Sequence, residues 1–239
     1  MKFSQLLALE LRRNVISMHL VISIGLSLAL GGGIIYSIHE LGGPFQPRNV
    51  AGLYATIAIV ALGIYCAKMV IADLHYGTVY LFFKSTKDRL RFLLSRVVVI
   101  AVVSLLFGIG CSALLYVNHL WNDQAFVWGD VRASLLHYVL FGTFFTLLFM
   151  IISMFYQKAM NLLVLALMII LVLPGLLGMV FRVDAIPAFV KDIVSYAPVY
   201  SLPNQVPFLA LSNSEMTVIV LANLLLFLFA YYKLPKTDY

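Results

Sequence analysis

Six apolar runs, each long enough to cross a lipid bilayer, constrain this chain more than any other feature of its sequence. A spanning helix needs about 20 apolar residues, and the hydrocarbon offers no hydrogen bonds to the backbone, so such runs form helices or a closed barrel. The runs show no alternation, which favours helices. They cover approximately Ile16–Ile38, Ala51–Ile71, Ser95–Asn118, Ser134–Tyr156, Met160–Phe181 and Met216–Tyr232. The sequence therefore predicts an all-α integral membrane protein with six transmembrane helices.

The composition leaves no room for a separate soluble domain. Of the 239 residues, 63% are hydrophobic and 11% charged, against about 45–50% and 25% in soluble domains. Six spans and their loops account for nearly the whole length, so residues 1–239 are expected to form a single transmembrane domain. The first run exceeds the roughly 7–15 residues of a signal-peptide core, which favours a retained first span.

The distribution of Lys and Arg predicts an orientation with both ends in the cytoplasm. Positive residues resist translocation, and a model with the N-terminus inside leaves only four of the 16 outside: Arg48, Arg132, Arg182 and Lys191. The net charge of +6 is thus interpreted as contact with anionic headgroups of the lipid bilayer, not with nucleic acid.

Residues 1–14 have the pattern of an amphipathic helix lying on the cytoplasmic leaflet. One predicted face holds Phe3, Leu6, Leu7 and Leu11, and the other holds mostly Lys2, Glu10, Arg12 and Arg13. The alternative is an ordinary basic flank of the first span.

Two connections are too long for simple turns. Residues 72–94 form a cytoplasmic connection between spans two and three, and residues 182–215 form an external one between spans five and six. The external segment carries Pro187, Pro198, Pro203 and Pro207, which predicts short broken helices at the outer interface.

Small residues recur every fourth position in two spans. The two stripes are His19, Ser23, Ser27 and Gly31 in the first span, and Ser104, Gly108 and Ser112 in the third. Such stripes let helices approach closely. They could line a transport path or a subunit interface, or could pack internally.

No motif for catalysis, cofactor binding or a metal centre is present in the sequence. There is no phosphate-binding Gly-x-x-x-x-Gly-Lys-Ser/Thr loop and no His-Glu-x-x-His pattern, and the five histidines are scattered. The predicted spans contain almost no ionisable residue at mid-depth, since Lys68 and His19 lie near span ends, and this argues against a proton- or sodium-driven carrier. We therefore expect no enzyme activity on this chain.

The segment from Asp73 to Arg96 reads DLHYGTVYLFFKSTKDRLRFLLSR. It resembles the first cytoplasmic loop of ABC-2-type transporter permeases, which often reads acidic residue, Gly-Thr, apolar block, Arg-ending turn, apolar block and Lys. The matching positions are Asp73, Gly77, Thr78, Leu81–Phe83, Arg89 and Arg96. Departures are Thr86 and Ser95, where many members have Pro and Gly, and Asp73 in place of Glu.

The resemblance implies that this loop is a coupling helix docking on a separate ABC ATPase subunit, which would hold ATP and Mg. The implied coupling residues are Asp73, Tyr76, Gly77, Thr78, Tyr80, Phe82, Phe83 and Arg89. Aromatic side chains would anchor in an apolar pocket and the cationic turn would face acidic surface. Without a partner, the same segment would be an interfacial helix.

The family pairs two six-span halves, so a second permease copy is expected, as a homodimer or with a paralogous permease. The resemblance further implies a bacterial cell membrane and export of amphipathic peptide, lipid-like or drug-like cargo, as in small members such as the phenol-soluble modulin exporters. The alternatives are a membrane scaffold or sensor that recruits a cytoplasmic partner, and an ATP-independent channel or secondary carrier.

Overall fold

A computed structural model of the protein describes residues 3–42, 45–75, 86–156 and 158–233, without the side chains of 73–75, 86, 87, 89 and 159. The described residues are almost entirely helical and contain no strand. The helices are α1 (Phe3–Val15), α2 (Met18–Leu41), α3 (Pro47–His75), α4 (Thr86–Asn122), α5 (Trp128–Phe155), α6 (Ala159–Leu167), α7 (Leu173–Gly178), α8 (Ala188–Tyr196), α9 (Pro198–Gln205) and α10 (Asn213–Lys233).

Six stretches of these helices are long and apolar enough to cross a membrane, as the sequence predicted. They are α2, Pro47–Ala72 of α3, Leu90–Asn122 of α4, α5, the stretch Met160–Arg182, and α10. The helices are longer than the predicted runs because the backbone stays helical into the polar flanks, as where α4 begins at Thr86. The cytoplasmic placement of both ends stays a prediction.

Span five, Met160–Arg182, is not one regular helix. It joins α6 to α7 through a π-helical turn, Met168–Val172, and ends in a 3₁₀ turn, Met179–Arg182. Pro174 lies two residues after the end of the π-helical turn, where its missing N–H and its ring disfavour the regular α-helical hydrogen bond. The Pro174-Gly175 pair thus coincides with a break in helical regularity.

The interior is built from α3, α4 and α5, which pack on one another. Large side chains from all three helices are fully buried there, including Tyr54, Phe107, Phe141, Phe145 and Phe149. In contrast, α2, span five and α10 lie at the periphery and expose many Leu, Ile and Val side chains. In a bilayer this exposed apolar surface suits lipid contact.

Local signals fix the ends of two spans. The Ser17 hydroxyl accepts a hydrogen bond from the Leu20 N–H at the start of α2, and Gly42 ends that helix with φ of 59°. At α10, Ser212 and Glu215 form a reciprocal capping box, in which each side chain accepts from the other residue's N–H.

The connection between span five and α10 contains α8, α9 and a 3₁₀ turn, Val206–Phe208. Pro187 precedes α8, and Pro198 occupies the first position of α9, a place where the missing N–H costs nothing. Short helices thus begin at or just after Pro187 and Pro198, whereas Pro203 lies inside α9. Its location outside the membrane stays a prediction.

Candidate functional site

Most of the predicted coupling residues, namely Tyr76, Gly77, Thr78, Tyr80, Phe82 and Phe83, lie outside the described residues. Asp73 belongs to the last turn of α3 and Arg89 to the first turn of α4. The described part of the 72–94 connection therefore consists of the end of one spanning helix and the start of the next. A coupling helix between them stays a prediction.

A buried ion pair joins α1 to α4 close to this connection. Nη1 of Arg96 lies 2.6 Å from Oε2 of Glu10, and the two side chains are only 3% and 12% exposed. The Arg96 guanidinium also lies 5.0 Å from the centre of the Phe92 ring. Arg13 approaches Glu10 at 3.9 Å but is half exposed, so this second ion pair contributes little to stability.

Hydrogen bonds extend this ion pair across the turn between α1 and α2. The Asn14 amide donates to the Glu10 backbone carbonyl at 2.9 Å. The Ser17 hydroxyl donates to the Asn14 carbonyl at 3.0 Å and lies 2.6 Å from the Tyr65 hydroxyl of α3. We call Glu10, Asn14, Ser17, Tyr65 and Arg96 the elbow network; it ties α1 and α2 to both helices that flank the 76–85 segment.

The position of Glu10 differs from the sequence prediction, which placed it on the polar face of the first helix. Leu7 and Leu11 pack against the protein core and Leu6 is buried, and Glu10, with 12% of its side chain exposed, pairs with Arg96 from the same side of the helix. Helical spacing explains this, since Glu10 follows Leu6 by four residues and Leu7 by three. The apolar face of α1 thus contacts α4; contact of this helix with a membrane leaflet stays a prediction.

A groove of about 580 Å³ opens between α2 and α3. Its walls include Ile22 of α2 with Val60 and Ile64 of α3, and one end is lined by His19 and Lys68. The lining is mostly apolar, with the cationic group at a single end. Its volume lies within the range of small-molecule sites, about 300–1,000 Å³.

The structure divides the first stripe of small residues into two parts. His19 and Ser23 line the groove, whereas Ser27 is buried and bonds to the Ser23 carbonyl within α2. A Cβ on Gly31 would meet Leu114 and come within 3.3 Å of the Tyr54 Cβ. The Ser27–Gly31 half of the stripe therefore allows close packing of α2 on α3 and α4.

The second stripe lies at the contact between α4 and α5. A Cβ added at Gly108 would lie 3.0 Å from the Leu135 Cα and 3.1 Å from the Ser134 carbonyl oxygen. The Ser112 and Ser134 hydroxyls are 2.6 Å apart, and Ser104 is fully buried. This arrangement is helix packing through small residues, as in other membrane bundles.

Sequence reasoning missed several buried polar side chains. The Tyr54 hydroxyl donates to the Phe107 carbonyl at 2.7 Å in the interior. His137 is 2% exposed, and its Nδ1 has no hydrogen-bond partner among the described residues. A polar residue within a long apolar run was the available signal for each.

The described residues bring no metal-ligand cluster together. No group of three or more His, Cys, Asp or Glu among them lies close enough to hold a metal ion. Cys66 and Cys111 are both free thiols, and both are buried. Polar groups do converge in the elbow network and at the end of the groove lined by His19 and Lys68.

Comparison of the sequence with protein-family models and with curated proteins finds no match. A functional assignment therefore depends on the residues themselves and on their placement in this six-span helical membrane protein.

Proposed function

We propose that this chain is the membrane-spanning permease subunit of an ATP-driven ABC exporter in a bacterial cell membrane. The observation that carries the proposal is the Asp73–Arg96 sequence pattern, which connects two spanning helices that are both tied to the elbow network. The cargo would be an amphipathic peptide or a lipid-like or drug-like molecule, and a second permease copy would complete the path.

The elbow network gives the proposed coupling a mechanical basis. Tyr65 of α3 contacts Ser17 at the start of α2, and Arg96 of α4 contacts Glu10 of α1. A push on the 76–85 segment would displace the adjoining ends of α3 and α4. Through these two contacts, α1 and α2 would move with them.

ATP binding and hydrolysis would belong to the partner ATPase, together with Mg. Closure of two ATPase subunits would favour the outward-open arrangement if they bind that arrangement more tightly, because a ligand shifts a conformational equilibrium only through differential affinity. In this scheme the permease converts the movement of its cytoplasmic segment into tilting of its spans.

The first test is a pull-down of the tagged permease, followed by labelling of co-purified subunits with 8-azido-ATP. Arg89→Glu should abolish recovery of the labelled ATPase, because it reverses the charge of the proposed docking turn. Lys158→Glu is the matched control, since Lys158 is an exposed cation in the connection between α5 and span five. Unchanged recovery with Arg89→Glu would contradict the proposal.

A second test is transport by vesicles reconstituted with permease and ATPase. Export should require ATP, and Glu10→Gln should reduce export while leaving ATPase recovery intact, because Glu10 lies outside the proposed docking segment. Transport without ATP would indicate a channel or secondary carrier. ATPase recruitment without any transport would indicate a scaffold or sensor.

A further inference from the structure

We propose that the groove between α2 and α3 binds an anionic phospholipid of the cytoplasmic leaflet, with its headgroup at Lys68 and His19 and an acyl chain along the apolar wall. This inference goes beyond the proposed transport function and does not depend on it. A lipid would bind here whether or not an ATPase associates with the chain.

His19 and Lys68, the two basic residues that line the groove, lie on either side of the Ser17–Tyr65 contact. The Ser17–Tyr65 hydrogen bond holds the start of α2 beside the α3 turn that precedes Lys68. Because α2 and α3 run antiparallel, His19, two residues after Ser17, and Lys68, three residues after Tyr65, flank this contact, and both line the groove next to it. Under the predicted orientation this end faces the cytoplasmic headgroups, where anionic lipids are concentrated.

Lys68 has the charge and freedom to bind a phosphate. It is exposed and forms no salt bridge within the part of the chain that the structure describes. Its Nζ lies 5.8 Å from the centre of the Tyr65 ring, a contact with the ring face that leaves its N–H groups available. A lipid phosphate would supply the missing counter-charge.

The rest of the groove matches a hydrocarbon chain in chemistry and length. Ile57, Val60 and Ile64 follow one face of α3 and end at Lys68, opposite Ile22 of α2. Ile22 and Ile64 are 47% and 39% exposed, so their side chains are open to an occupant. From Thr56 to Lys68 the helix rises about 18 Å, close to the roughly 15 Å hydrocarbon depth of one leaflet.

The test is native mass spectrometry of the purified full chain, titrated with dioleoylphosphatidylglycerol or with dioleoylphosphatidylcholine in the same detergent. Wild type should bind the anionic lipid more tightly. Lys68→Gln should weaken that binding about fivefold, the effect of one cation near an anionic headgroup, while Lys68→Arg should retain it. Lys158→Gln, which removes an exposed cation outside the groove, should leave it unchanged.

A second variant tests the wall without altering charge. Val60→Trp should fill the groove and reduce binding of the first phosphatidylglycerol, with unfolding like that of wild type. Equal affinity of wild type for both lipids, or wild-type affinity in Lys68→Gln or Val60→Trp, would overturn the proposal.

A second copy of the chain is the competing occupant, and cross-linking distinguishes it. Ile57→Cys places a thiol on the groove wall, while the native Cys66 and Cys111 are buried. Under oxidation in membranes we expect no Ile57→Cys dimer. An efficient disulfide between two chains would show that a second copy covers the groove and would overturn lipid binding there.

Discussion

The helix α5 and span five are both apolar enough to cross a membrane, yet they occupy opposite environments. In α5, 61% of the most apolar stretch is buried inside the protein; in span five, the most hydropathic of the six, the share is 17%. The apolar surface of a membrane helix can lie against lipid as favourably as against protein. High hydropathy therefore identifies a span without indicating whether that span is interior.

Buried polar residues distinguish two of the three interior helices, α4 and α5, from span five. Eight of them lie in α4 and α5: Ser95, Arg96, Ser104, Asn118, Ser134, His137, Thr146 and Ser153. None of the buried polar residues lies in span five. Polar groups are costly in lipid, so they turn towards protein. Polar exceptions within the apolar runs thus mark α4 and α5 as interior, whereas α3 is interior with none of these residues.

The strongest test of the comparison is truncation of an interior aromatic ring. Phe145 is fully buried, with its ring centre 4.6 Å from that of Phe141 and 5.3 Å from that of Phe144. Phe145→Ala should lower the free energy of unfolding by about 4 kcal/mol because it leaves a cavity. Steric trapping in bicelles would measure this. Phe155→Ala, at a position 72% exposed, should change it by less than about 0.5 kcal/mol; equal losses would contradict the division into interior and periphery.

The next largest effect concerns the link between α1 and the interior. Glu10→Gln should lower the free energy of unfolding by about 3 kcal/mol, because it removes the carboxylate from a guanidinium that is only 3% exposed. The same unfolding measurement applies. Arg13→Gln is the control, since Arg13 is half exposed and its contact with Glu10 is longer, at 3.9 Å, so this contact should contribute less than about 1 kcal/mol.

Gly108 in the interior and Gly25 at the periphery test the same difference through the space around their backbones. Gly108→Leu should destabilise the protein by about 2 kcal/mol through overpacking, because its Cβ would meet backbone atoms of α5. Gly25 of α2 has no heavy atom within 4 Å of the corresponding position. Gly25→Leu should therefore leave thermal unfolding in micelles nearly unchanged, and a comparable loss there would indicate that a neighbour covers α2.

The smallest expected effect is the Ser112–Ser134 hydrogen bond. A double-mutant cycle with Ser112→Ala and Ser134→Ala should give a coupling energy of about 0.6 kcal/mol, typical of interhelical hydrogen bonds in membranes. Unfolding of the four proteins in bicelles measures it. Strict additivity of the two single substitutions would mean that the 2.6 Å contact adds no stability.

The sequence predicted the number, type and approximate limits of the spans because the physics of the bilayer acts on each helix separately. The predicted fifth span, Met160–Phe181, differs from the observed Met160–Arg182 by a single residue. The predicted helix ends were less accurate where the helical backbone continues past the first charged residues, as at the start of α4. Hydropathy carries no information about such interfacial extensions.

The candidate site was harder to predict from the sequence than the spans were, because it depends on contacts between residues far apart in the chain. Glu10 and Arg96 are 86 positions apart, and Ser17 and Tyr65 are 48 apart. The pattern of α1 located its apolar face, but a single carboxylate within that face was assigned to the polar side. Its pairing with Arg96 depends on the packing of α1 against α4, about which the sequence pattern carries no information. The same holds for Ser27 and Gly31, whose neighbours belong to other spans.

The π-helical turn in span five carries a further consequence for how that span meets its neighbours. One extra residue in a turn rotates everything after it by about 100° relative to a regular α-helix. On one side of the turn α6 packs on α3, and on the other α7 packs on α9. The offset lets a single span present one stripe to the bundle and a differently directed stripe to the short helices. Deleting one residue from Met168–Val172 would realign the two stripes, and the span would keep its contact with α3 only at the expense of its contact with α9.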